Sequence, residues 1–119
     1  MSLSIKVEGL DKLIKALNQI QGLQEPLDEA IELFLEKVVT DAKNIVPVKT
    51  GTLQRSISWQ GGRGEYKVGS RVNYAPYVEY GTSRMVPRPF LGPALLWNLP
   101  MLREALLNKA EEWMRRRGE

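Results

Sequence analysis

The sequence predicts an α+β fold, a small antiparallel β-sheet with a glycine-rich hairpin packed against a long central helix and a C-terminal helix. Three observations carry that prediction. Apolar residues from Leu27 to Ile45 recur at helical spacing. Between Leu53 and Val72 the period changes to two and is interrupted by glycines. From residue 90 to residue 116 helical spacing returns. The 119 residues are expected to form one domain, residues 1–119.

At the N-terminus Leu3, Ile5 and Val7 alternate with polar residues and predict a first strand, closed by Gly9, rather than the apolar core of a signal peptide. Leu10, Leu13, Ile14 and Leu17 predict a short amphipathic helix ending near Gly22. The long helix begins at Glu25-Pro26, where proline needs no N–H partner and where Asp28 and Glu29 complement the helix dipole. Its stripe is Leu27, Ala30, Ile31, Phe34, Val38, Ala42 and Ile45. Pro47 disfavours helix at Val46 and ends it, giving roughly 20 residues and ~30 Å of helix.

VKTGTL at 48–53 reads as a linker. Leu53, Ile57 and Trp59 predict a strand through RSISW, QGGRG at 60–64 predicts a turn, and Tyr66, Val68 and Val72 predict the returning strand, with a bulge or close approach at Gly69. Pro76 and Gly81 bracket a short helix from Ala75 to Tyr80. MVPRP at 85–89 is expected to be extended. The last helix carries Leu95, Leu99, Leu102, Leu106, Ala110 and Trp113 on its apolar stripe, with a kink or break expected at Pro100.

Composition narrows the chemistry. The chain has no cysteine and no histidine. Disulfides, thiolate nucleophiles and cysteine-ligated metals are thereby excluded, together with the commonest general base and transition-metal ligand. The lack of cysteine fits synthesis and use in a cytoplasm. A net charge of +3 is too weak to name nucleic acid as a partner, and no apolar run approaches the ~20 residues of a membrane span.

No catalytic, cofactor or metal constellation emerges. GGRG lacks the Gly-Lys-Ser/Thr ending of a phosphate loop, and a hairpin turn accounts for its glycines. Glu25, Asp28, Glu29, Glu32 and Glu36 share their surface with Lys37, Asp41 and Lys43 and read as a solvated helix face. Ser56, Ser58 and Ser70 have no histidine to activate them. Arg115 to Arg117 suit the negative end of a helix dipole.

The most distinctive segment is YAPYVEYGTSRMVPRPFLGPAL at 74–95. The rings of Tyr74, Tyr77 and Tyr80 are expected to pack the short helix onto the hairpin with their hydroxyls in water. The loop at 82–89 reads as an interface, because methionine and arginine are enriched where proteins meet. Arg84, Met85 and Arg88 lie in it, Tyr77 and Tyr80 stand one turn apart beside it, and Arg63 sits at the predicted hairpin tip. These six are the candidate interface residues.

Taken together, IVPVKTGTLQRSI at 45–57 and NYAPYVEYGTSRMVPRPFLGPAL at 73–95, behind a long helix and ahead of a terminal one, resemble the gene-product-ten-like family of lambdoid phages. The resemblance covers about residues 3–112. It implies a non-catalytic virion structural protein without cofactors, a tail-completion or head–tail joining component found at the head–tail junction of the virion and in the host cytoplasm during assembly. It further implies a homo-oligomeric, commonly hexameric, ring between head-connector and tail-tube proteins, with no membrane and with DNA only as passing cargo. Pro93 and Pro100 depart from the regular last helix expected of such a protein. The rival reading is a small basic nucleic-acid-binding or regulatory partner module using Arg63, Arg71, Arg84, Arg88 and Arg115–Arg117.

Overall fold

The apolar stripe after residue 24 folds as helix α1, Gln24–Ile45. The computed structural model describes residues 2–5, 19, 22, 24–48, 51–62 and 65–118. The predicted helix from Leu10 to Leu17, Val7 and Gly9 lie outside these residues. Leu27, Ala30, Ile31, Phe34, Val38 and Ala42 are buried as expected, and Leu35 joins them. Ile45 is not part of the stripe. Val46, one turn after Ala42, is buried in its place, with its N–H on the Ala42 carbonyl at 3.0 Å, and Ile45 turns outward. Pro47 follows at once, and the helix has stopped.

The strand predicted through RSISW forms only from Ser58 onward, and the stretch before it is corrected. Gly51, in the left-handed region at φ 81°, starts a short helix α2, Thr52–Ser56. Leu53 is buried inside it and Ile57 is buried just after it. Gln54 donates its side-chain amide to the Lys43 carbonyl at 2.9 Å and so ties α2 to the last turn of α1.

Three strands form one antiparallel sheet in the order β1-β3-β2, from β1 (Leu3–Ile5), β2 (Ser58–Gly62) and β3 (Glu65–Ser70). Gly61 and Gly62 were expected in a turn; they are the last residues of β2, paired with Tyr66 and Glu65. Arg63 and Gly64 between the strands lie outside the described residues. The close approach expected at Gly69 is present, since a Cβ there would fall on the Leu3 carbonyl of β1. Burial along β3 alternates from Tyr66 to Val68, period two with one face on the core.

The sheet packs on α1 through an aromatic pair. Trp59 and Tyr66 have ring centroids 6.3 Å apart, tilted by 50°. Trp59 Nε1 donates to Glu36 at 2.7 Å, and the Tyr66 hydroxyl donates to Asp28. Buried Ser70 joins β3 to α2: its hydroxyl meets that of Ser56 at 2.6 Å and accepts the Val72 N–H at 3.1 Å, while Ser56 donates onward to the Leu53 carbonyl at 2.6 Å.

Helix α3, Ala75–Tyr80, is as predicted, with proline in its first turn and Gly81 past its end. Helix α4 runs through Leu91–Gly118 with Pro100 inside it, so the chain does not break there. Pro100 is exposed and Leu96, one turn back, is 67% exposed. The carbonyl that proline leaves unpaired thus stands beside water rather than in the core. Leu91, Ala94, Leu95, Leu102 and Leu106 are buried. α4 runs antiparallel to α1: Asn98 donates to Asp41 at 2.8 Å, and a Cβ on Gly22 would meet Trp113 at 3.3 Å. Phe34, Phe90 and the leucines between helices and sheet form the core, each worth about 1.5–3 kcal/mol on burial.

Candidate interaction surface

α3 is six residues long and buries only Ala75 and Glu79, one turn apart. That inward face leaves the tyrosines outside. Tyr74, Tyr77 and Tyr80 are 41%, 56% and 64% exposed, so the expected packing of their rings on the hairpin is corrected: they stand on the outer face. Tyr77 and Tyr80 stand about one turn apart, but the buried side of the helix belongs to an alanine and a glutamate.

Glu79 is 5% exposed, and its carboxylate is spent on backbone. Oε1 accepts the N–H groups of Phe90 at 3.1 Å and Leu91 at 2.8 Å, and Oε2 accepts that of Gly92 at 3.1 Å. These are the amides at the start of α4, which have no partner inside the helix and where negative charge is favoured. One side chain of α3 therefore caps α4 across the loop between them.

The same loop is braced internally. Gly81 donates its N–H to the Tyr77 carbonyl at 2.8 Å and adopts φ 76°, ψ 179°, a region reserved for glycine. Thr82 and Met85 pair through two backbone hydrogen bonds of 2.9 and 3.3 Å. Arg84 N–H reaches the Thr82 hydroxyl at 3.2 Å, and Arg88 N–H reaches the Val78 carbonyl at 2.8 Å. Residues 82–89 are nonetheless all exposed, with Val86 at 79%.

This loop walls a surface groove of about 390 Å³ lined by Pro47, Val78, Arg84, Met85, Val86 and Arg88. Of the candidate interface residues, the fold brings Arg84, Met85 and Arg88 together here. Tyr77 and Tyr80 project from the adjoining outer face of α3 and do not line the groove. Arg63 lies outside the described residues. The groove is lined mostly by apolar surface, with two arginines among its residues, a composition common where proteins meet.

The acids of α1 that the sequence left as a solvated face are partly engaged: Asp28 with Tyr66, Glu36 with Trp59, and Asp41 with Lys37 and Asn98. Among the described residues no group of three or more acidic side chains is placed to hold a metal ion, and no helix is long and apolar enough to cross a membrane.

Sequence reasoning missed two features. Nothing in the sequence sets Glu79 apart from a surface acid. The outer side of α4 carries Leu96, Trp97, Met101, Leu107 and Met114, each 42% exposed or more. The signal for the second was present, because apolar residues of α4 occur on both sides of the helix while only one side can face α1.

A family model described as HK97-gp10_like, "Bacteriophage HK97-gp10, putative tail-component", matches residues 11–81. That segment holds α1, α2, β2, β3 and α3 and ends at Gly81, just before the exposed loop. No curated protein and no solved structure matches the chain.

Proposed function

The chain belongs to the HK97-gp10-like family of phage tail components, and we propose on that footing that it completes the tail at the head–tail junction by assembling as a ring. Ring closure by identical subunits requires a heterologous contact, in which one surface of each copy meets a different surface of the next. The observation that supports a joining role is the loop at 82–89. It is fully exposed, braced by its own backbone bonds and by the Arg88 N–H on the Val78 carbonyl, and edged by Arg84 and Arg88 around an apolar groove. An exposed loop held in one shape loses little conformational freedom on docking, which favours affinity.

In this reading the neighbours are copies of the chain in a hexameric ring and the head-connector and tail-tube proteins on either side. Assembly takes place in the host cytoplasm, the finished protein resides in the virion, DNA only passes through, and no bond is made or broken. The test is the Arg84→Glu, Arg88→Glu double variant supplied to a phage that lacks the gene. The expected result is separate heads and tails in electron micrographs and a collapse of infectious titre, with an unchanged thermal melt of the purified variant. Normal titre would remove the loop from the joining contact.

A further inference from the structure

The outer side of α4 carries a run of apolar residues that the fold leaves exposed. At about 100° per residue, Leu96, Pro100, Leu107 and Met114 fall within an arc of roughly 40°. Leu96, Leu107 and Met114 are 67%, 54% and 65% exposed, and Pro100 is exposed beside them. Buried Leu91, Leu95, Leu102 and Leu106 lie on the opposite side, against the core. Trp97 and Met101 widen the patch. Single exposed leucines need no explanation, but a contiguous stripe of this kind marks a contact surface.

The charges along the stripe say what covers it. Arg103 lies one turn before Leu107 and Glu111 one turn after it, both exposed and both on this side of the helix. Two copies of α4 crossing antiparallel with Leu107 at the crossing point set Arg103 of each against Glu111 of the other. The same arrangement sets Pro100 against Met114 and Leu107 against itself. A parallel crossing sets arginine on arginine and glutamate on glutamate, which is repulsive. Arg103 has no ion-pair partner among the described residues, and Glu111 has only Arg115, at 3.9 Å and in the open.

We infer that the outer face of α4 binds a second copy of this chain in an antiparallel, isologous pairing centred on Leu107. It uses a different surface from the groove at Arg84 and Arg88, and it stands whether or not the ring forms. An isologous contact of this kind closes on itself as a dimer.

The chain has no cysteine, so a single introduced one reports its own neighbours. Leu107→Cys in the full chain is expected to oxidise to a covalent dimer in high yield, and Met114→Cys, whose copies lie far apart, is not. In sedimentation equilibrium Arg103→Glu and Glu111→Arg are each expected to weaken the dimer by about tenfold or more through like-charge contacts, and the two together to restore it. All four positions are exposed, and each variant is expected to keep the far-ultraviolet circular dichroism spectrum of the native chain. Three results overturn the pairing: a native chain that stays monomeric throughout the concentration series, cross-linking through Met114→Cys in preference to Leu107→Cys, or a double charge swap no better than either single change. Preferential cross-linking at Met114→Cys would assign the face to a parallel or ring contact instead.

Discussion

Glu79 Oε1 holds the backbone N–H of Leu91 at 2.8 Å, so the last turn of α3 caps the first turn of α4. With the Phe90 and Gly92 bonds, the buried carboxylate accepts three amides that have no other helical partner.

Glu79→Ala leaves those amides in a buried corner without acceptors. The expected loss is about 2–4 kcal/mol, above the usual cost of a lost helix cap because the site is desolvated. Glu79→Gln keeps one oxygen and is expected to cost less than the alanine change. Urea unfolding of both variants checks this; equal stability of Glu79→Ala and the native chain would show that water replaces the carboxylate.

Gly81→Ala places a Cβ 2.8 Å from the Met85 carbonyl oxygen and 2.9 Å from Pro87 N, at a backbone angle of φ 76°. Backbone cannot move aside as a flexible side chain can. A destabilisation of about 1–3 kcal/mol is expected, with the 82–89 loop displaced. Chemical-shift changes confined to residues 78–91, together with a lower melting temperature, are the predicted readout.

Asp41 accepts the Asn98 side-chain amide at 2.8 Å and the Lys37 ammonium at 3.0 Å. The Asn98 bond first, and then Lys37, hold its carboxyl below the ordinary value of 3.8. The unfolded chain therefore binds the proton more tightly than the folded one. The stability this provides is complete above the unfolded value and is lost as pH falls through it toward the lowered folded value. In denaturant titrations between about pH 5 and pH 2, the native chain is expected to lose its advantage over Asp41→Asn as the solution is acidified. A constant difference across that range would contradict the assignment.

Pro100→Ala restores an N–H toward the Leu96 carbonyl in an exposed stretch of α4. Stability is expected to rise by about 1–3 kcal/mol, less than the full helix-interior cost of proline because part of that cost is already relieved by water. Thermal unfolding measures it, and an unchanged or lower midpoint would mean that the proline ring itself contributes packing.

The sequence made α1 legible because Leu27, Ala30, Ile31, Phe34, Val38 and Ala42 repeat over several turns, and no strand keeps such a set on one side. Pro76 and Gly81 likewise marked both ends of α3. Leu53 and Ile57 were ambiguous for a simple geometric reason. Residues four apart share a face in a helix and also in a strand, since four is even, so the pair fitted either structure. Gly51 and Gln54 decided for helix by contacts that lie outside the alternation. Of the surface, Arg84, Met85 and Arg88 could be found from residue type and the prolines around them. Glu79 could not, because its partners are backbone amides 11 to 13 residues ahead and no side-chain pattern announces them.

The 28 residues of α4, laid along α1, give the chain principal extents of 60 × 21 × 20 Å and a radius of gyration of 16.3 Å. A rounded protein of this length has about 13–14 Å. So drawn-out a particle meets extra drag, and on a gel-filtration column calibrated with rounder standards it will elute early and pass for something heavier. A lone copy could then be mistaken for a pair, so stoichiometry has to come from methods indifferent to form, such as light scattering or native mass spectrometry.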